Sequence, residues 1–358
     1  MYKLFTDFQN KIELVDKFLL ILVILVPLTL ATSIFLADLF SSIAGIILIY
    51  IFFKKKFFFL KSIKKEIIFM ITFYIIILLS LLFTKYLEVS FLPSFFYFRY
   101  FLLSISIFYL LKKYDFVSTV FLYVISCTIL IVVIDGFIQY SFKNNIFGYK
   151  LQGNHIPDAM RYITSFFNEE KKFGSYLVRF LPLILSLFYL YNKKESIHLD
   201  KFLLIIIGIF IFYSSERTAM GLYFVICISF ILINEHRLKL TLALILIFGI
   251  LFSLNLKLTN KYIKFTLEQI TGSFIAGPKK PKETLRFYSF EHENLAYTSI
   301  KISQKNFLFG SGVKTFFNEC NRLKKETTIL DTINKRGNKL LCSTHPHSTY
   351  FQLLSDIG

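Results

Sequence analysis

The sequence predicts an all-α polytopic membrane protein. Of its 358 residues, 55% are hydrophobic, 45 of them Phe, and mean hydropathy is +0.60. A soluble domain of this length has no interior large enough for so many apolar side chains. Apolar runs recur at close to the roughly 20 residues that a bilayer crossing needs. The positive charge, a net +18, is concentrated between those runs, which argues against a nucleic-acid-binding surface.

Nine spans are predicted, at 18–37, 39–53, 67–84, 95–111, 116–142, 173–191, 199–215, 218–234 and 240–256. The second and seventh are short. The first is too long for the apolar core of a cleaved signal peptide and lacks a small-residue exit, so it reads as a signal anchor. Lysines 54–56, 61, 64 and 65 fall in one short loop, Lys112 and Lys113 in a second, Lys193, Lys194 and Lys201 in a third, Arg237 and Lys239 in a fourth. These loops alternate along the chain, so the positive-inside rule places all four, and the N-terminus, in the cytoplasm. Nine crossings then put the polar stretch that follows outside. It carries sixteen Lys and Arg against seven Asp and Glu, and long loops cross largely regardless of charge.

The expected organisation is a transmembrane domain over 1–256, a periplasmic loop over 257–346, and the start of a tenth span over 347–358. Ending about eleven residues into a span leaves backbone polar groups in lipid, so the natural product is expected to be longer. No internal repeat is present. A second external segment, 143–172, is rich in Asn and Gly and reads as turns. In the long loop, Leu285, Tyr288, His292, Leu295 and Ser299 follow helical spacing, and Phe309-Gly310-Ser311-Gly312-Val313 breaks the helix with a tight turn. Cys127 and Cys227 fall inside spans and read as packing residues. Cys320 and Cys342 lie in the exported loop, where oxidising conditions favour a disulfide over two free thiols.

Few residues could carry chemistry. Arg217, in Ser214-Ser215-Glu216-Arg217, sits at the outer end of two spans. It is either a clamp on phosphate oxygens, for which a planar guanidinium is well shaped, or an interfacial anchor paired with Glu216. Arg99 and Arg179 lie within spans and should face a polar cavity or a carboxylate such as Asp135 or Glu169. His345 and His347 bracket Pro346 at the mouth of the tenth span. An imidazole there could take a proton from a sugar hydroxyl near neutral pH. It could also bind a metal, given further ligands such as His155, His292 or a carboxylate, or be an ordinary boundary histidine. Gly310-Ser311-Gly312 is no nucleotide loop, because no strand–helix context surrounds it.

Five blocks, in order, resemble the O-antigen ligase family, whose relatives include O-antigen polymerases and protein O-oligosaccharyltransferases. They are Asp135 to Gln139 with Phe147-Gly148; Arg161 with Ser165 to Glu169, Gly174 to Leu177 and Arg179 to Pro182; Ser215 to Ala219; Phe307 to Gly312 with Phe316; and His345-Pro346-His347-Ser348 with Tyr350 and Gly358. The resemblance covers about 130–358. The sequence departs from it in Glu216 before Arg217, in Asn306-Phe307 where a proline is usual, in Ser348 for Asn, and in the missing final spans. Complete members have about a dozen spans, with the large loop between the ninth and tenth, so nine to ten helices are expected here.

The resemblance implies transfer of a glycan from undecaprenyl diphosphate to an acceptor hydroxyl, foremost lipid A-core, at the periplasmic face of the bacterial inner membrane. It implies inversion at the sugar carbon and no metal or other cofactor. By position His347 becomes the general base, and Arg217 and Arg286 hold the diphosphate as negative charge grows on it. Arg161, Arg179, Glu169 and His345 become donor- or glycan-binding residues. A polymerase, a ligase for protein hydroxyls and a non-catalytic transporter of the lipid-linked glycan are the rival readings. The last ranks low, since transporters show paired interrupted helices in repeated halves.

Overall fold

Each predicted span is helical. The computed structural model describes residues 12–54, 62–152, 161–191, 199–233, 237–271, 290–326 and 339–358. In chain order the helices are α1 (Leu14–Thr32), α2 (Ile34–Lys54), α3 (Lys64–Phe83), α4 (Leu87–Phe95), α5 (Phe98–Lys113), α6 (Val117–Phe142), α7 (Phe173–Tyr191), α8 (Leu199–Tyr213), α9 (Arg217–Ile233), α10 (Arg237–Leu254), α11 (Leu256–Thr271), α12 (Phe290–Lys305), α13 (Phe316–Glu326) and α14 (Thr349–Ile357). The protein is an all-α polytopic membrane protein.

Among the described residues six helices are long and apolar enough to cross a bilayer, with Leu87–Lys113 taken as one. The seventh and eighth predicted spans are the shorter helices α8 and α9. The ninth differs from expectation. Helix α10 does not give way to a loop at residue 257 but continues, after a 95° bend, into α11. Alternating lysines gave α11 too little hydropathy to be seen as a helix. The first helix also starts and stops earlier than predicted, because Ser33 in extended conformation breaks the apolar run between Thr32 and Ile34.

Two compact units result. One comprises Met1–Lys56 and Leu102–Tyr262, the other Phe57–Phe101 and Ile263–Gly358. In the first, α1 packs on α2 and α6, and α7 packs on α6, α8 and α9. Its core is apolar at every level, from Leu19 and Leu20 through Ile125 and Ile129 to Leu177, Leu181 and Ile207. The one charge buried at the start of α1, Asp16, is compensated by Lys113 Nζ at 2.5 Å and by the hydroxyls of Tyr109 and Tyr114 at 3.2 and 2.7 Å. A buried carboxylate lacking such donors would be strongly destabilising. Cys227 is buried as expected, whereas Cys127 lies on the exposed face of α6.

In the second unit α12 packs on α13 and α14, and α14 also meets α3. A small core of Leu295, Ile302, Phe316, Cys320, Leu323 and Leu340 holds it together. Cys320 and Cys342 are joined by a disulfide, with their Cα atoms 5.4 Å apart.

Candidate active site

Several of the predicted residues lie in two polar centres, one in each unit. In the first unit the centre starts from the end of α6. Asp135 is fully buried, and it accepts hydrogen bonds from Ser165 Oγ (2.7 Å), Asn145 Nδ2 (3.1 Å) and Ile146 N (3.0 Å). Gln139, one helical turn on, accepts from the amides of Thr164 and Ser165 and donates to the Tyr149 carbonyl and to Thr164 Oγ1. These two side chains therefore fasten the segment around Asn145–Tyr149 and Thr164–Ser165 onto the helix. Asp135 pairs with neutral donors rather than with Arg99 or Arg179. Arg99 instead lies over the ring of Tyr100 and donates to its hydroxyl at 2.9 Å. Arg179 is exposed on α7, Glu169 is exposed on the segment preceding it, and no ion pair joins them.

Glu216 is another buried carboxylate, and its side chain sits at the N-terminus of α7. It accepts from Gly174 N (2.6 Å), Ser175 N (2.9 Å) and Ser175 Oγ (2.6 Å), so it satisfies amides that a helix start leaves open and places negative charge at the positive end of the dipole. The approach demands glycine at 174, because a Cβ there would lie 2.4 Å from Ser214 Oγ. Burial nonetheless raises the Glu216 carboxyl above its ordinary pKa, with the three donors pulling the other way. The preceding residue, Ser215, has a left-handed backbone (φ +57°) and donates from Oγ to the carbonyl of Arg161 at 2.8 Å. The backbone of Arg161 is thereby tied to the residue two before Arg217, the first residue of α9.

Two further side chains complete this corner, and sequence reasoning missed both. Lys171 places Nζ 5.0 Å from the centre of the Tyr162 ring, and its charge is felt by both Glu216 and Arg217. Tyr262, delivered by the bend into α11, stacks on Phe212 and donates to its carbonyl at 2.9 Å. The corner holds two cations, Lys171 and Arg217, near one carboxylate already committed to a helix end. Such a set can bind a polyanion, and guanidinium groups can do so in a bidentate manner.

The second unit carries the histidines. The backbone around them is set by α12: Lys339 N donates to Asn294 Oδ1 (2.9 Å), and Leu341 N donates to Thr298 Oγ1 (3.0 Å). With the disulfide at Cys342, this fixes the chain as it enters Thr344–Ser348. Pro346 is buried while His345 and His347 on either side are exposed. His347 has φ +54°, a conformation that a residue with a Cβ adopts at a cost of roughly 1–3 kcal/mol and that recurs at functional sites. Its ring centre lies 4.2 Å from that of His345 and 6.1 Å from that of His292 on α12. His345 Nδ1 is hydrogen-bonded to Thr344 Oγ1 at 2.9 Å. Among the described residues no group of three His, Cys, Asp or Glu could hold a metal ion.

The Phe309 turn positions this segment. Ser311 N and Ser311 Oγ both donate to the Ser355 carbonyl at 2.9 Å, and Gly312 N donates to the Asp356 carbonyl at 2.9 Å. The turn thus accepts the far end of α14, whose near end carries His347. Thr84 Oγ1 donates to the Ser311 carbonyl (2.6 Å), and Phe309 stacks on Phe83 with ring centres 4.4 Å apart. Arg286 and His155 lie outside the described residues.

Two apolar cavities lie elsewhere. One of about 380 Å³ lies between α9 and α10, and another of about 450 Å³ lies between α7 and α9; none of the candidate arginines or histidines lines either. A model of the O-antigen ligase family matches residues 202–358, the stretch that contains Arg217, the Phe309 turn and all three clustered histidines. No curated protein matches, and no solved structure does.

Proposed function

We propose that the chain, whose residues 202–358 match a model of the O-antigen ligase family, is a glycosyltransferase of that family and moves a glycan from undecaprenyl diphosphate to a hydroxyl of lipid A-core. His347 is the general base. The acceptor oxygen attacks the anomeric carbon from the face opposite the diphosphate, its proton passes to the imidazole, and the anomeric carbon–oxygen bond breaks with its electron pair leaving on the diphosphate. Inversion follows from that geometry.

The leaving group gains negative charge as the bond breaks. Arg217 and Arg286 neutralise it, and a well-placed donor of this kind is worth about 3–4 kcal/mol of barrier. Arg161 and Arg179 contribute to donor binding, Glu169 and His345 to the glycan. No metal or cofactor enters, because the diphosphate-linked sugar is already activated. The reaction takes place at the periplasmic face of the inner membrane, with the N-terminus cytoplasmic, 1–256 as the membrane domain and 257–346 as the external loop.

The observation that carries this reading is the exposed His347, held in a left-handed conformation within the region matched by the family. The test is reconstitution of the full-length protein in liposomes with a lipid-linked glycan and lipid A-core. Glycan appearing on lipid A-core supports the ligase. Growth of the lipid-linked glycan instead identifies a polymerase, transfer to protein hydroxyls identifies a protein ligase, and no transfer at all sinks the proposal.

A further inference from the structure

The three imidazoles come from two parts of the chain. His345 and His347 are neighbours in sequence, so their proximity carries little information. His292 is more than fifty residues away, in the first turn of α12, and its ring centre still lies 6.1 Å from that of His347 at 54°. Two imidazoles joined by an N–H···N bond of about 3 Å have centres roughly 5 Å apart. The pair is thus about one ångström from direct contact, a gap that a small side-chain rotation or one water closes. Catalytic hydrogen bonds are commonly longer without substrate and tighten in its presence.

The two histidines differ in how they are held. His292 stands on a helix locked by Leu295 and Ile302 in the core and by the bonds from Asn294 and Thr298 to the 339–341 segment. His347 stands on non-helical backbone and is exposed. His345 is less suited to supporting it, since its Nδ1 is committed to Thr344 and its ring lies against that of His347 at 4.2 Å and 56°.

We propose that His292 is a positioning residue for His347, accepting a hydrogen bond from the ring nitrogen that faces away from the acceptor and thereby keeping the other nitrogen unprotonated towards the hydroxyl. The inference rests on the assignment of His347 as the base. In the forward step the hydroxyl O–H bond breaks and its proton joins the free nitrogen of His347. The oxygen's electron pair forms the new glycosidic bond, and the diphosphate leaves with the pair of the old one. Once the product has left, the near nitrogen of His347 releases that proton to solvent, while its far N–H stays hydrogen-bonded to His292 and the starting tautomer is restored.

The test is a double-mutant cycle on the reconstituted full-length protein, with lipid-linked glycan as donor and lipid A-core as acceptor. His292→Ala should lower kcat roughly 10- to 100-fold while KM for donor and acceptor stays within about twofold. In a His347→Ala background the same change should have no further effect, since a residue acting through His347 has nothing left to position. His292→Gln, which retains a polar side chain of similar reach, should recover part of the loss and guards against a folding defect in the alanine variant. Unchanged kcat in both single variants overturns the inference, as does an equal loss with and without His347. If instead His347→Ala is itself fully active, the base assignment has failed, and that outcome is distinguishable from failure of His292 alone.

Discussion

Replacing Gly310 by alanine tests how the Phe309 turn holds the histidine segment. Gly310 has φ +64°, and a Cβ built there would lie 2.3 Å from Asp356 C and Ile357 N and 2.4 Å from the Asp356 carbonyl oxygen. These are backbone atoms, which cannot swing aside as a side-chain tip would. The turn and the end of α14 must therefore separate by about an ångström to restore ordinary contact. That separation breaks the three 2.9 Å bonds from Ser311 and Gly312 to the carbonyls of Ser355 and Asp356. At roughly 1 kcal/mol for each bond and at least another for the left-handed backbone, docking weakens by about 4 kcal/mol. Amide hydrogen exchange at Ser311 and Gly312, which open only when the turn undocks, should accelerate by roughly a thousandfold. Glycan transfer should fall with it, since α14 begins two residues after His347. Wild-type exchange at those amides with full transfer would refute the claim that the turn positions the site.

Other perturbations probe separate links. Arg217→Lys keeps charge but loses the planar fork, and is expected to cut transfer at least tenfold with a raised donor KM; a normal rate would return Arg217 to an anchoring role. Cys320→Ser removes a cross-link closing a loop of 22 residues and should cost roughly 3 kcal/mol, read as a lower unfolding temperature that reductant imposes on the wild type but not on the variant. Glu216→Ala strands three donors at the start of α7 and should destabilise by about 2–4 kcal/mol, with Glu216→Gln milder. Because burial raises the folded-state pKa of Glu216, its proton is held more tightly in the folded protein than in the unfolded chain. Its contribution is then full below the unfolded value near 4.5 and is lost as pH rises through the higher folded value. The stability difference between wild type and Glu216→Gln should accordingly shift against the wild type across that window. A flat difference would contradict the burial argument.

Much of the membrane part was legible because hydropathy is a property of long windows, and errors at single residues average out. Among the described residues helix covers most of each apolar run that was read, and six helices are long and apolar enough to cross a membrane. The bend into α11 was not legible: Lys257, Lys261 and Lys264 break the apolar run, while a helix needs only local backbone bonding to continue. Asp135 looked like an ion-pair partner from its place in a span, yet Asn145, Ile146 and Ser165 satisfy it. Nothing in a charge pattern distinguishes a carboxylate that holds a loop from one that waits for an arginine. Lys171 was lost within the Glu169–Lys172 charge run, which reads as a solvated surface, although the folded chain sets its charge near Glu216 and Arg217. His292 was visible as one member of an amphipathic stripe and as a possible further metal ligand, not as a partner for a base. Its approach to His347 depends on tertiary bonds from Asn294 and Thr298 that no spacing rule contains.

The most direct test of the account is the transfer rate of His347→Ala in membranes supplied with lipid-linked glycan and lipid A-core. Loss of a general base predicts a fall of at least a hundredfold, with unspent donor accumulating and the unfolding temperature unchanged. Transfer within twofold of wild type would contradict the account, because no other group has been given the acceptor's proton.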